Sequence, residues 1–440
     1  MPANPLFSRR HRQAGLALLT AMALGGLLTA CDEDTDSRPA ASSSAATAPT
    51  GATGAAADPQ DKLTELAQRV VDAGAPGVIV RADNGSGHPI EIARQASWST
   101  ADHALAATDQ FRMGSNTKTM IATIVLQLVG ENRLQLSDPV EKWLPGLVPK
   151  GGAITVRMLL NHTSGLFNYL NDPDVLKAFT GQDTRAWTPT EVLAAGVKHD
   201  PEFAPGTNYS YSNTNYIALG LIAEKATEHP LTSLVQEKIA VPLHLTNTYL
   251  VEGSDNGTGH SLALAHGYEP DAAHVASVLP EGTPAGTAFA GEARPAGYVD
   301  ATAVNTSTEW AAGAMVSTAQ DWATFDSALL SGKLLPAALL KEMKTNRPEE
   351  AEFPDRRYGL GLEQVTTPCG TVWGHNGQIT GYSAEAYTDE TGTRTASVLT
   401  STIFGLKPPK PRAANQNLVN VAVCAMLDKP IPAAAPTPAG

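Results

Sequence analysis

Apolar residues recur at helical spacing in some stretches of this chain and alternate in others, and the change divides it into regions. From Asp61 to Ala73, Leu63, Leu66, Ala67, Val70 and Val71 share one helical face. GVIV (77–80) and IEIA (90–93) read as strands joined by the turn-rich ADNGSGHP. Residues 115–129 read as a helix, with Met120, Ile121, Ile124, Val125 and Leu128 on one broad face. The middle, roughly 135–312, mixes helical patterns with long Gly/Pro-punctuated loops. Helical patterns return at 320–331 and 336–345, strand patterns follow at 371–375, 383–389 and 395–401, and a last helix covers 413–427. Strands near both ends with helices between them predict an α+β fold: an antiparallel β-sheet flanked by helices, plus a mostly helical second lobe at about 135–312. A cleft between the two lobes is the natural place for a site.

Composition narrows the partners. The 440 residues are 42% apolar and 17% charged, ample for a sizeable core. A net charge of −13 argues against a nucleic-acid partner and against a basic membrane-surface patch. Residues 1–30 read as a signal peptide, with Arg9, Arg10, His11 and Arg12 ahead of an apolar run from Ala14 to Ala30. That run ends LTAC, and small residues before Cys31 match the bacterial lipoprotein box, in which the cysteine is lipidated. Ordinary signal-peptidase cleavage beside an incidental cysteine is the alternative. Residues 31–58 and 430–440, rich in Ala, Ser, Thr, Gly and Pro, cannot bury enough surface to order themselves and read as a tether and a tail around a 59–429 body. The expectation is an exported envelope lipoprotein whose only membrane attachment is its N-terminal lipid. Cys369 and Cys424 remain in the body. In an exported protein they suggest a disulfide; two buried free thiols are the other arrangement.

Three stretches carry chemistry. In FRMGSNTKTM (111–120) Lys118 follows Ser115 by three residues, so on a helix the amine reaches the hydroxyl. A first-turn serine also lies where outward N–H groups favour a developing negative charge, although serine is equally a favoured helix cap. In FAPGTNYSYSN (203–213) Tyr211 and Asn213 point to the same side of an extended segment. A buried phenol near Lys118 shares a proton with it. Shifting either group by about 3 pKa units corresponds to roughly 4 kcal/mol, which such a pair can supply. In VWGHNGQITGY (372–382) an apolar strand runs into His375, Asn376 and Gly377. Gly377 lets a ligand lie against the strand edge, and the Gln378 N–H can join that of Ser115 in an oxyanion hole.

Ser-x-x-Lys, then Tyr-Ser-Asn, then His-x-Gly on a late strand resembles the serine β-lactamase and penicillin-binding protein superfamily. LLNHTSGL (159–166) and AAGAMVSTAQDWATF (311–325) resemble its class C branch and the exported D-alanyl-D-alanine carboxypeptidases of that branch. The resemblance implies a nucleophile at Ser115, its base at Lys118, a proton-relaying phenol at Tyr211 and an amide partner at Asn213. It places His375 opposite the reacting centre, with Asn376, Gly377 and Gln378 on the substrate side. It implies acyl transfer without metal or cofactor on a peptidoglycan stem peptide or another small acyl substrate, with β-lactams as ligands. Histidine at 375, where β-lactamases usually carry lysine, favours a carboxypeptidase. Asn376 replaces the usual threonine, and the arginine that carboxypeptidases use to hold a terminal carboxylate falls near Glu363, with Arg356 and Arg357 close by. Those departures leave a serine esterase or amidase as the second reading, then a β-lactamase, then an inert tethered binding protein.

Overall fold

The computed structural model describes residues 58–253, 262–279, 283–349 and 353–430. The expected signal peptide, Cys31, all but the last residue of the tether and all but the first of the tail lie outside them.

An eight-stranded sheet is the frame. Its strands are Gly77–Asp83 (β1), Ile90–Gln95 (β2), Arg347–Pro348 (β3), Arg356–Tyr358 (β4), Glu363–Thr367 (β5), Gly370–Ile379 (β6), Tyr382–Thr388 (β7) and Thr395–Thr400 (β8). They lie in the order β2-β1-β8-β7-β6-β5-β4-β3 with antiparallel neighbours throughout. Alternation along each strand gives the sheet two apolar faces. Val78, Val80, Val372, Tyr387 and Val398 meet the first and last helices, Pro59–Asp72 (α1) and Pro409–Met426. Ile79, Trp373, Ala384, Ala386 and Leu399 join the larger core, which includes Thr117–Gly130 (α2), Thr214–Thr227 (α3) and Ala319–Leu330 (α4). The last helix becomes α5. The antiparallel sheet, its flanking helices and the helix-rich middle are as the apolar pattern predicts.

Register matters most in β6. Residues 370–374 pair with β5, whereas 375–379 pair only with β7. The half-strand carrying His375, Asn376, Gly377 and Gln378 therefore offers an unpaired edge to whatever lies beside it. Against the face of this half-strand packs the 113–116 segment. A Cβ on Gly377 would fall 1.9 Å from the Met113 carbonyl oxygen, and one on Gly114 would fall 2.6 Å from the Gln378 nitrogen. Gly114 also holds φ +52, a left-handed conformation that only glycine adopts freely. Both glycines are needed for this approach.

Cys369, in the turn ahead of β6, is disulfide-bonded to Cys424 in α5, 55 residues away. The bridge fastens the start of the site-bearing strand to the outer helix layer. A loop of that length corresponds to about 4 kcal/mol in the chain-entropy account. The Cys369→Ser, Cys424→Ser double variant should melt several degrees below the oxidised protein in a thermal unfolding scan. Equal midpoints would show that the bridge contributes nothing.

Candidate active site

Ser115 does not cap a helix. It lies in a single 3-10 turn, Gly114–Asn116, and α2 begins at Thr117 with Asn116 in the capping position. Residues 117–126 of α2 are buried all round, including Lys118, which has no exposed surface. A lysine that deep requires a partner for every polar valence. Lys118 Nζ lies 2.9 Å from Ser115 Oγ, 2.6 Å from Asn213 Oδ1 and 2.7 Å from the Ala312 carbonyl oxygen. As an ammonium it donates three hydrogen bonds. As a neutral amine it donates to Asn213 and Ala312 and turns its lone pair to the Ser115 O–H. The same three contacts thus serve both protonation states, which is what a proton acceptor for Ser115 requires.

Tyr211 and Asn213 come from the extended segment before α3. The Asn213 amide is held by Asn168, whose Oδ1 accepts from both its backbone N–H and its Nδ2, each at 3.2 Å. That fixes the Asn213 carbonyl oxygen toward Lys118. The Tyr211 ring centroid is 4.9 Å from Lys118 Nζ, within cation–π range. Tyr211 is 9% exposed and packs with Tyr209 and Tyr358.

His375 is buried behind this group. Its Nε2 meets the Tyr358 hydroxyl at 3.0 Å, its Nδ1 bonds the Asn376 carbonyl oxygen, and its ring centroid is 6.3 Å from that of Tyr211. Glu363, fully buried, stands 3.8 Å from His375 Nδ1 and accepts from Arg356 Nη1 at 2.9 Å. Arg357 donates instead to Asn346 Oδ1 at 2.7 Å. Strand alternation sets Asn376 on the sheet face opposite His375 and Gly377, beside its cross-strand partner Glu385.

The sequence left Glu309 unremarked. Burial pushes its carboxyl up to about 7, with the charge of Lys118 acting in the opposite sense. Tyr169 and Thr308 donate to it at 3.4 and 3.3 Å. No motif marks it, since a lone glutamate before Trp310 has no periodic or spacing signal. Asn168, the Ala312 carbonyl and Tyr358 were equally invisible.

Among the described residues one set has metal-ligand geometry: Asp102, His266 and Asp300. A cation already sits there, because Arg294 Nε lies 2.9 and 2.8 Å from the two Asp102 oxygens and Nη2 is 3.3 Å from Asp300. No helix of the described residues is long and apolar enough to cross a membrane.

A serine bonded to a buried lysine, a neighbouring tyrosine and a glycine-bearing strand on this fold are the arrangement of the serine β-lactamase and penicillin-binding protein class. The chain matches the Beta-lactamase family model over residues 66–420 and belongs to that family. It is 36% identical over 143 residues to Esterase EstB of Burkholderia gladioli, covering 30% of this chain and 36% of the esterase. It is 31% identical over 166 residues to Protein flp of Staphylococcus aureus strain N315, covering 37% and 31% respectively. The chain thus spans about a third of the length of these two relatives. A crystal structure of a D-stereospecific amidohydrolase from Streptomyces sp. superposes with TM-score 0.68 at 32% identity, covering 81% of this chain and 98% of that one. Sequence and fold together place this chain in the serine β-lactamase/penicillin-binding protein superfamily.

Two outcomes test this geometry. Lys118→Met, which keeps the volume and removes the amine, should slow acylation by about 10²–10⁴-fold in a burst-phase assay; a burst at the wild-type rate would exclude Lys118 as base. Glu309 has a folded-state value of about 7 against an ordinary 4.5, so the folded protein binds the extra proton between those pH values. Its burial therefore destabilises progressively as pH rises through that window, on the order of a few kcal/mol. The melting point of Glu309→Gln relative to wild type should climb from pH 5 to pH 8, and a constant difference would contradict the assignment.

Proposed function

We propose that the protein is an exported amidohydrolase that forms an acyl-enzyme on Ser115 and cleaves amide or ester bonds of D-amino-acid-containing substrates without needing a free terminal carboxylate. Ser115 attacks the carbonyl as Lys118 takes its proton, and the Tyr211 phenol passes a proton to the departing amine. The oxyanion is received by the backbone N–H groups of Ser115 and Gln378, which the close approach of the 113–116 segment to Gly377 brings together. Water then releases the acyl group. Asn213 keeps Lys118 aimed at Ser115, and His375 acts through Tyr358.

The Glu363–Arg356 pair carries this reading. Where a carboxypeptidase presents an arginine to the substrate carboxylate, this chain buries a glutamate and spends the nearby guanidinium on it. Arg357 is engaged by Asn346, and Asn376 lies on the far face of the sheet. The substrate's carboxylate loses its cationic seat. The D-stereospecific amidohydrolase from Streptomyces, alike over nearly its whole length, supports the amide and the stereochemistry. A D-alanyl-D-alanine carboxypeptidase on peptidoglycan stem peptides is the second reading, favoured by histidine at 375, with β-lactams as ligands in either case. Export and lipid attachment through Cys31 belong to the proposal and rest on the LTAC boundary.

A side-by-side assay of D-phenylalanine amide, a short-chain nitrophenyl ester and a D-Ala-D-Ala peptide separates the two. A lost charged hydrogen bond is worth about 1.5–3 kcal/mol, so turnover of the amide or ester should exceed D-alanine release by at least about tenfold. D-Alanine release as the dominant reaction would reverse the order.

A further inference from the structure

We propose that His162 is a positioning residue for Tyr211, holding the phenol over Lys118 by a three-point clamp; the inference rests on the relay role given to Tyr211 above. His162 belongs to LLNHTSGL and is completely buried. Its carbonyl oxygen accepts from the Ser210 N–H at 3.0 Å, and its Nδ1 accepts from the Ser212 N–H at 3.2 Å. Its ring lies against the Tyr211 ring, with centroids 4.3 Å apart and planes 32° from parallel. The two residues flanking Tyr211 and Tyr211 itself are therefore all held by one side chain and its own carbonyl. Tyr211 has no regular element of its own to fix it, because α3 starts only at Thr214.

The ring state follows from the donors. A backbone N–H can only donate, so Nδ1 carries the lone pair and the neutral ring keeps its proton on Nε2. The Asn215 amide confirms this orientation: its Oδ1 accepts from Ser164 Oγ at 2.5 Å, which turns its Nδ2 to His162 Nδ1 at 3.0 Å. His162 also adopts φ +57, an uncommon conformation for a non-glycine residue. That conformation lets carbonyl and imidazole address the same three-residue segment. Tyr209, Tyr216 and Tyr358 close the remaining sides, at 6.1, 5.4 and 4.8 Å between ring centroids.

Two substitutions suit the left-handed backbone, and only one of them keeps an acceptor near the Nδ1 position. His162→Asn presents Oδ1 where Nδ1 lies, and His162→Gly removes ring and acceptor without φ strain. Displacing a reacting group by about 1 Å can cost 10²-fold, so His162→Gly should lower kcat by about that factor with KM within about threefold, and His162→Asn should recover most of the loss. If the glycine variant does not fold, as read by circular dichroism, His162→Gln takes its place, since its acceptor lies one bond too far. Equal kcat in the Asn and Gly (or Gln) variants, or a Gly (or Gln) variant at the wild-type rate, overturns the clamp. Tyr211→Phe is measured alongside. A slow Tyr211→Phe with an unaffected His162→Gly sinks the clamp alone, whereas a wild-type rate in Tyr211→Phe sinks the relay role and the clamp with it.

Discussion

A primary amine with no solvent contact governs this structure. Lys118 lies on a helix packed into the apolar core, and such a group is tolerated only when its surroundings replace water valence for valence. Three acceptors do so, each from a different part of the chain: a serine hydroxyl one helical turn earlier, an amide before α3 and a main-chain carbonyl just ahead of α4. Satisfying one buried nitrogen therefore ties the start of α2, the segment before α3 and the 310–313 turn together at one point. The acceptor set tolerates either protonation state, so a structural necessity and a base share the same geometry.

A second constraint operates behind the first. Buried His375 and Glu363 and half-buried Arg356 form an array in which the acid neutralises the guanidinium, and Tyr358 links that array to the phenolic cluster around Tyr211. Local charge is balanced within the protein rather than left for a ligand to balance. On the proposed assignment, selectivity comes from the missing cation for a substrate carboxylate, while the acylation machinery common to the family is retained. Where the charges sit, more than which catalytic groups are present, distinguishes the amidase reading from the carboxypeptidase one.

Much of this was legible in the sequence, for physical reasons that also explain the gaps. The helices at 59–72, 117–130 and 319–330 are long runs rich in apolar residues and appear within a few residues of expectation. The last helix begins four residues earlier than its pattern implied, because Pro409 and Pro411 fit a first turn, where no N–H partner is required. Strand β6 runs four residues past its apolar part: Asn376, Gly377 and Gln378 have little strand propensity and are extended because β7 pairs with them. Strands β3, β4 and β5 escaped notice since they are short and one of them opens on a buried glutamate. Ser115, Lys118 and Asn213 meet as their spacing and order suggested. The groups that hold them in place (Asn168 and the Ala312 carbonyl) act through distant contacts or main-chain atoms, which leave no mark in spacing or composition.

The central claim is that the hydroxyl bonded to the buried amine is the atom that becomes acylated. Intact-mass spectrometry followed by peptide mapping, after brief exposure to a slowly released penicillin or activated ester, tests it directly. The account predicts one covalent addition, located in the peptide containing Ser115 and absent from Ser115→Ala. An adduct on another side chain, or undiminished substrate turnover by Ser115→Ala, would contradict it.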